Sequence, residues 1–266
     1  MKKLSIIISI FVTAFVLMGC GSTIKMTMKD YVAKSQNYWS KTSTNAYASV
    51  TIDGDTGLKS NTGVYGAIAT TVNIANSVAA SAIEQDQGDR LHRIINPLDV
   101  ADMVTAGFDE NFVGNTHLQV TADNQTPDLR IFLDVVDYGL YARSAMDAMQ
   151  FYVAANIRVV YAPELTTIYN HSITASRTAS DLAADIVNTA QMTVESVTNV
   201  PEFMVRIYGL REKLNALSDV VSIASGIASM SAFFQLTDED IVTMFQYMSY
   251  DAGHAIAADL VRAIYD

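Results

Sequence analysis

The residues able to do covalent or acid–base chemistry are few and far apart. Cys20 is the only cysteine, so any sulfur nucleophile, thiolate ligand or disulfide would have to use it. The four histidines, His92, His117, His171 and His254, have no metal-ligand spacing to one another. The nearest acid–base pair is Asp251 with His254, three residues apart on one predicted helix. That spacing gives a local helix contact, and it becomes general-base chemistry only if a nucleophile reaches it from elsewhere. The patterns H-E-x-x-H, G-x-S-x-G, the phosphate loop and the dinucleotide fingerprint do not occur. The sequence assigns no catalytic residue, no cofactor site and no metal site.

Asp53-Gly54-Asp55-Thr56-Gly57 invites two further readings. Asp-Thr-Gly resembles the triplet of aspartic proteases, but there is no second copy and no apolar strand flanks it. Asp-x-Asp-x-Gly resembles the start of a calcium loop, yet Leu58 and Val64 stand where an EF-hand needs glycine and glutamate. A polar turn accounts for the segment. Thr237-Asp238-Glu239-Asp240 reads as the cap and negative first turn of the last helix, not as a metal site.

Cys20 gains a meaning from what precedes it. Lys2 and Lys3 lead into an uncharged apolar run, Leu4 to Met18, too short to span a bilayer and followed by Gly19 and Cys20. Leu17-Met18-Gly19-Cys20 resembles the lipobox of bacterial lipoproteins. The resemblance implies cleavage between Gly19 and Cys20, and lipid on the Cys20 sulfur. One acyl chain holds a protein marginally, at roughly 0.8 kcal/mol per buried methylene, whereas two or more hold it stably. The resemblance implies a diacylglycerol with a further N-acyl chain. Gly21 and Ser22 are unlike the aspartate that commonly retains such proteins in the inner membrane. The expected location is the periplasmic face of a bacterial outer membrane.

Cleavage would leave 266 − 19 = 247 residues, enough for one large domain or two small ones. From Gly21 to Gly63 there are five lysines against three aspartates, while the chain beyond carries ten basic and twenty-five acidic residues. A basic segment beside the lipid suits an anionic membrane surface, and an acidic body argues against nucleic acid as a partner. The domain reading is a signal peptide at 1–19, a lipidated polar tether at 20–63 and an α+β domain at 64–266. Within the tether, Tyr31, Tyr38 and Trp39 fall near helical spacing, suited to one docked turn or to lying against headgroups.

The elements that would position any site follow from periodicity. Val64 to Ile83 is uncharged, but its Thr, Asn and Ser make membrane insertion unfavourable, so a tightly packed helix is expected. Asn96-Pro97-Leu98-Asp99 starts a helix that carries Val100, Met103, Val104 and Phe108 inward and frays near Gly107 or Gly114. Leu129, Ile131, Leu133 and Val135 alternate with Arg130, Phe132, Asp134 and Val136. Phe151 to Tyr161 alternates likewise, and a break at Ala162-Pro163-Glu164 precedes a Thr-rich third strand. Helical spacing returns at Leu182, Ile186, Ala190 and Val194, then at 202–217 and 219–236. The last helix has an inner stripe of Ile241, Phe245, Met248, Ala252, Ile256, Leu260 and Ile264.

The expected fold is α+β: a small antiparallel sheet of three or four strands packed by helices, with additional C-terminal helices. Its helix–meander–helix order on a lipid tether resembles that of small periplasmic lipoproteins that assist envelope transport or assembly machines. That resemblance implies a non-catalytic accessory protein, with the membrane as one partner through Cys20 and an envelope protein or a second copy as another. Two other readings stand beside it: an envelope hydrolase with a site scattered over several elements, and a helix-lined oligomer that inserts into the membrane through 64–83 or 219–236.

Overall fold

A computed structural model of the chain describes residues 26–52, 85–121, 125–142, 149–178, 181 and 234–266. The element order is α1 (Met28–Lys34), β1 (Asn37–Thr44), β2 (Ala48–Ile52), a helical stretch α2 at 85–94, α3 (Pro97–Asn115), β3 (Gln119–Val120), β4 (Leu129–Ala142), β5 (Gln150–Tyr161), β6 (Thr166–Thr178) and α4 (Asp238–Tyr265). The fold is α+β, but the sheet is larger than the sequence suggests and is mixed, not wholly antiparallel. β4, β5 and β6 form the expected antiparallel meander. On the other edge of β4, β1 pairs in parallel with Leu129–Val135 and β2 with Tyr138–Ala142. β3 then adds in parallel to β1.

The extra strands come from 37–52, inside the stretch whose composition reads as tether. Asn37–Thr44 is Asn-Tyr-Trp-Ser-Lys-Thr-Ser-Thr, in which short hydroxyl side chains carry the inward positions and hide the period of two from a hydropathy reading. Tyr38 is fully buried, and Ala48 and Val50 of β2 are buried as well. The remainder of 20–63, apart from 26–52, lies outside the described residues.

Alternation along β4 and β5 behaves as predicted. Leu129, Ile131, Leu133 and Val135 are buried, as are Phe151, Val153, Ala155, Ile157 and Val159. A bulge between Val135 and Asp137 then switches the parity of β4, so that Tyr138, Leu140 and Ala142 face inward instead. Gly139 lies directly opposite Ser49, has a φ of 155°, and a Cβ there would meet the Ser49 carbonyl oxygen at 2.0 Å. No other residue fits that position without moving β2.

One face of the sheet is covered by α3 and α4. The first packs on β1, the second on β5 and β6, and they pack along each other. Asn96 caps α3 by accepting from the Leu98 N–H at 3.1 Å, as its sequence predicts. The helix does not fray at Gly107. It continues to Asn115, and Gly107 marks where the two helices cross. A Cβ on Gly107 would sit 1.9 Å from the Tyr250 carbonyl oxygen, and one on Gly253 would sit 2.3 Å from that of Val104. Paired glycines let the two backbones touch. Every residue of the predicted inner stripe of α4 is buried, and Thr237 accepts from the Asp240 N–H at 3.2 Å. Arg90 of α2 ties the start of α4 down, donating to the Phe234 and Leu236 carbonyls and pairing with Asp238 at 2.6 Å. The predicted helices at 64–83, 182–194 and 202–217 lie outside the described residues, as does the run at 219–236 up to Phe234.

Candidate functional site

Gly19 and Cys20 lie outside the described residues, as do Asp53-Gly54-Asp55-Thr56-Gly57. The fold begins close behind them: Met28, the first residue of α1, is only eight positions beyond Cys20. Thr27 and Asp30 form a capping box there, and the backbone N–H of Thr27 holds the Asp30 carboxyl below its ordinary range.

The structure separates the acid–base pair found in sequence. Asp251 faces β6 and accepts from Arg177 Nε at 3.1 Å. His254 faces α3, with Nδ1 3.5 Å from Asn111 Nδ2 and Nε2 3.8 Å from Glu110 Oε2. The Tyr250 ring lies tilted against His254, and its hydroxyl donates to the same Glu110 carboxylate. Burial, reinforced by that hydrogen bond, pushes the Tyr250 phenol well above its ordinary range. Carboxylate, phenol and imidazole in a row could pass a proton. Among the described residues, however, no Ser, Thr or Asp side chain is hydrogen-bonded to His254, so the row lacks a nucleophile. It spans α3 and α4 beside their glycine crossing and serves as a clamp between them.

A second polar cluster, missed in sequence, fastens α3 to the sheet. Asp109 Oδ1 accepts from Tyr38 Oη at 3.0 Å and from Ser40 Oγ at 2.6 Å. Burial raises the Asp109 carboxyl, and the two hydroxyls pull it partly back. Burial also raises the Tyr38 phenol, helped by the Asp109 charge. Both hydroxyls come from the segment read as tether, which is why the partner of Asp109 was not visible. The histidines are dispersed: His92 stacks on Tyr47, His117 Nε2 lies 2.9 Å from the Ser35 carbonyl oxygen, and His171 lies on β6 near Tyr169. Among the described residues no three metal-ligating side chains come together.

The surface with the most concentrated chemistry is the sheet face turned away from α3 and α4. Register places Lys41, Phe132 and Arg158 side by side across β1, β4 and β5, with Trp39 beside Arg130 in the row before. Neighbouring strands lie about 4.8 Å apart, so Lys41 and Arg158 flank Phe132 within about 10 Å of each other. Trp39 meets Phe132 edge to face at 5.8 Å, and the Arg158 guanidinium lies 4.5 Å from the Phe132 ring centroid. Trp39 remains 38 % exposed. Among the described residues, Lys41, Arg130 and Arg158 have no carboxylate within ion-pair distance. The nearby acids keep their charge but are hydrogen-bonded to neutral groups. Asp134, in the next row, accepts from Ser43; Asp128 accepts from the Gln36 and Asn37 backbone; Glu164 accepts from Tyr31. Sequence alternation puts Arg130 and Arg158 on this face as surface decoration. Lys41 and Trp39 join them only once β1 is recognised as a strand, for which the alternation of Tyr38, Ser40 and Thr42 was the available signal.

No family model matches this chain, and no curated protein matches it in sequence. Among solved structures it is similar to protein XCC0632 from Xanthomonas campestris, of the family DUF330, at 9 % identity and a TM-score of 0.38 over 86 % of this chain and 85 % of that one. It is also similar to lipoprotein GNA1162 from Neisseria meningitidis, at 12 % identity and a TM-score of 0.22 over 59 % of this chain and 99 % of the other. Likenesses this distant assign no role to any residue here.

Proposed function

We propose that this chain is a lipid-anchored protein of the bacterial cell envelope, held through Cys20 at the periplasmic face of the outer membrane, and that its folded body is a binding component of an envelope complex rather than an enzyme. The observation that carries the reading is the first twenty residues: two lysines, a short apolar run and the ending Leu17-Met18-Gly19-Cys20 around the only cysteine. Two others support it. No helix among the described residues is long and apolar enough to cross a membrane, so attachment through such a helix is not seen there. The acid–base groups that do come together are bound up in holding α3 against α4 and β1.

The test is chemical. In the native host, a labelled fatty acid should enter the protein, and the mature N-terminal peptide should begin at a lipid-modified Cys20. Cys20→Ala should abolish both the label and retention in the membrane fraction. A mature chain beginning elsewhere, or an unmodified Cys20, would refute the anchor. Extraction in mild detergent should then bring down a stoichiometric envelope partner, and a lone monomer would count against the binding role.

A further inference from the structure

We propose that the open sheet face around Trp39, Lys41, Arg130, Phe132 and Arg158 is a docking surface for an anionic phospholipid bilayer, which lays the sheet against the membrane that holds the lipid anchor. The inference rests on the anchor reading for its geometry, but on the sheet for its chemistry.

Three observations converge. The first is charge. The chain carries a formal net charge of −11, yet this patch gathers three cations that have no ion-pair partner among the described residues, against one carboxylate of the same face, Asp134, in the next row. Unpaired cations held at fixed spacing by strand register complement a surface of phosphates, and each is worth roughly a fivefold shift of the docked equilibrium near an anionic membrane. The second is the aromatic pair. Trp39 and Phe132 stand among those cations on the same face, and a tryptophan with cationic neighbours is the composition favoured at the headgroup level of a bilayer.

The third is reach. Met28 is eight residue steps beyond Cys20, so the start of α1 can lie no farther than about 28 Å from the lipid even with that stretch fully extended. α1 sits at the same end of the sheet as the patch, on the side of α4: Tyr31 contacts the Tyr161 ring and Glu164, and Tyr161 pairs with buried Leu129, one position before Arg130. The anchor therefore leaves the fold at the end of the sheet that bears the cationic and aromatic rows, from the helix side, and within reach of both faces of that end, not at the opposite end near Asp137 and Tyr152.

Trp39 is the only tryptophan in the chain, so its fluorescence reports this patch alone. The lipidated full-length protein is reconstituted in vesicles of phosphatidylcholine and in vesicles containing phosphatidylglycerol. Flotation with both tests the anchor, and failure to float with neutral vesicles refutes that reading by itself. Docking is read separately. With phosphatidylglycerol, Trp39 emission should shift to the blue and be quenched by lipids brominated near the headgroup, and both effects should disappear in molar salt. A Lys41→Gln/Arg130→Gln/Arg158→Gln chain should still float but show the neutral-vesicle spectrum, with docking weakened on the order of 100-fold. Circular dichroism checks its fold, and the salt reversal on the unaltered protein does not depend on the variant. Identical Trp39 spectra in the two vesicle types would overturn the proposal. So would a shift that follows protein concentration without vesicles, which would mark an acidic protein face as the occupant.

Discussion

The two faces of the sheet are drawn from alternate residues of the same strands, yet they meet opposite surroundings. On the covered face, Leu129, Ile131, Leu133 and Ile157 are fully buried under two helices. On the open face, one residue along in each case, stand Arg130, Phe132, Asp134 and Arg158. The backbone hydrogen bonds are shared, so the difference lies in side chains alone. The covered face holds the fold together by removing apolar area from water, and the open face is free to carry chemistry the fold does not need.

That contrast can be broken by truncating an aromatic ring on each side. Phe108→Ala on α3 removes a fully buried ring and should cost about 3–5 kcal/mol in denaturant unfolding, while Phe132→Ala, half-exposed on the open face, should cost far less. Equal costs would mean that the open face is covered in solution.

A smaller effect tests how tightly the covering layer is fitted. Gly107→Ala drives a methyl group into the Tyr250 carbonyl and should cost about 1–3 kcal/mol, whereas Gly114→Ala, on the same helix with nothing within 4 Å, should be neutral or stabilising. Thermal melts of the two variants give the answer, and matching losses would refute the close crossing.

The smallest effect separates the faces by pH. Burial pushes both Tyr138, on the covered side, and Tyr152, on the open side, up to about 12 from an ordinary value of 10. Each phenol then binds more protons in the folded than in the unfolded chain between those values. Its contribution is therefore intact below pH 10 and is lost as pH rises towards 12. Tyr138→Phe should reduce this alkaline loss with little change near neutrality, since among the described residues the Tyr138 hydroxyl meets only the Ala48 backbone, outside good hydrogen-bond geometry. Urea midpoints measured across that interval would show it, and an unchanged alkaline slope would exclude Tyr138 as a source.

Much of the covered face was legible in sequence. β4 and β5 show a period of two in large apolar residues, and α4 announces itself by its cap and by seven inward positions that are all buried. β1 and β2 were not legible because Ser, Thr and Asn carry little hydropathy signal. What makes 37–44 a strand is the free edge of β4, a partner 91 residues away (129 − 38). The same blindness hid the Asp109 cluster and the Trp39 and Lys41 part of the cationic patch. Gly107 misled for a related reason: alone it reads as a helix end, and its use appears only when Gly253 arrives from the other helix.

The parallel pairing of β1 and β2 with β4 also has a consequence in time. A chain made from its N-terminus presents β1 and β2 long before the strand that pairs with them exists. At roughly 5–20 residues per second, an interval on the order of 5–20 s passes before β4 follows β1. Until β3 appears, shortly before β4, the Tyr38 strand has no native edge to join, while β4, β5 and β6 can later zip up through local hairpins. Completing the sheet requires the return of its oldest segment to the free edge of β4, and only that return creates the row that joins Lys41 to Phe132 and Arg158.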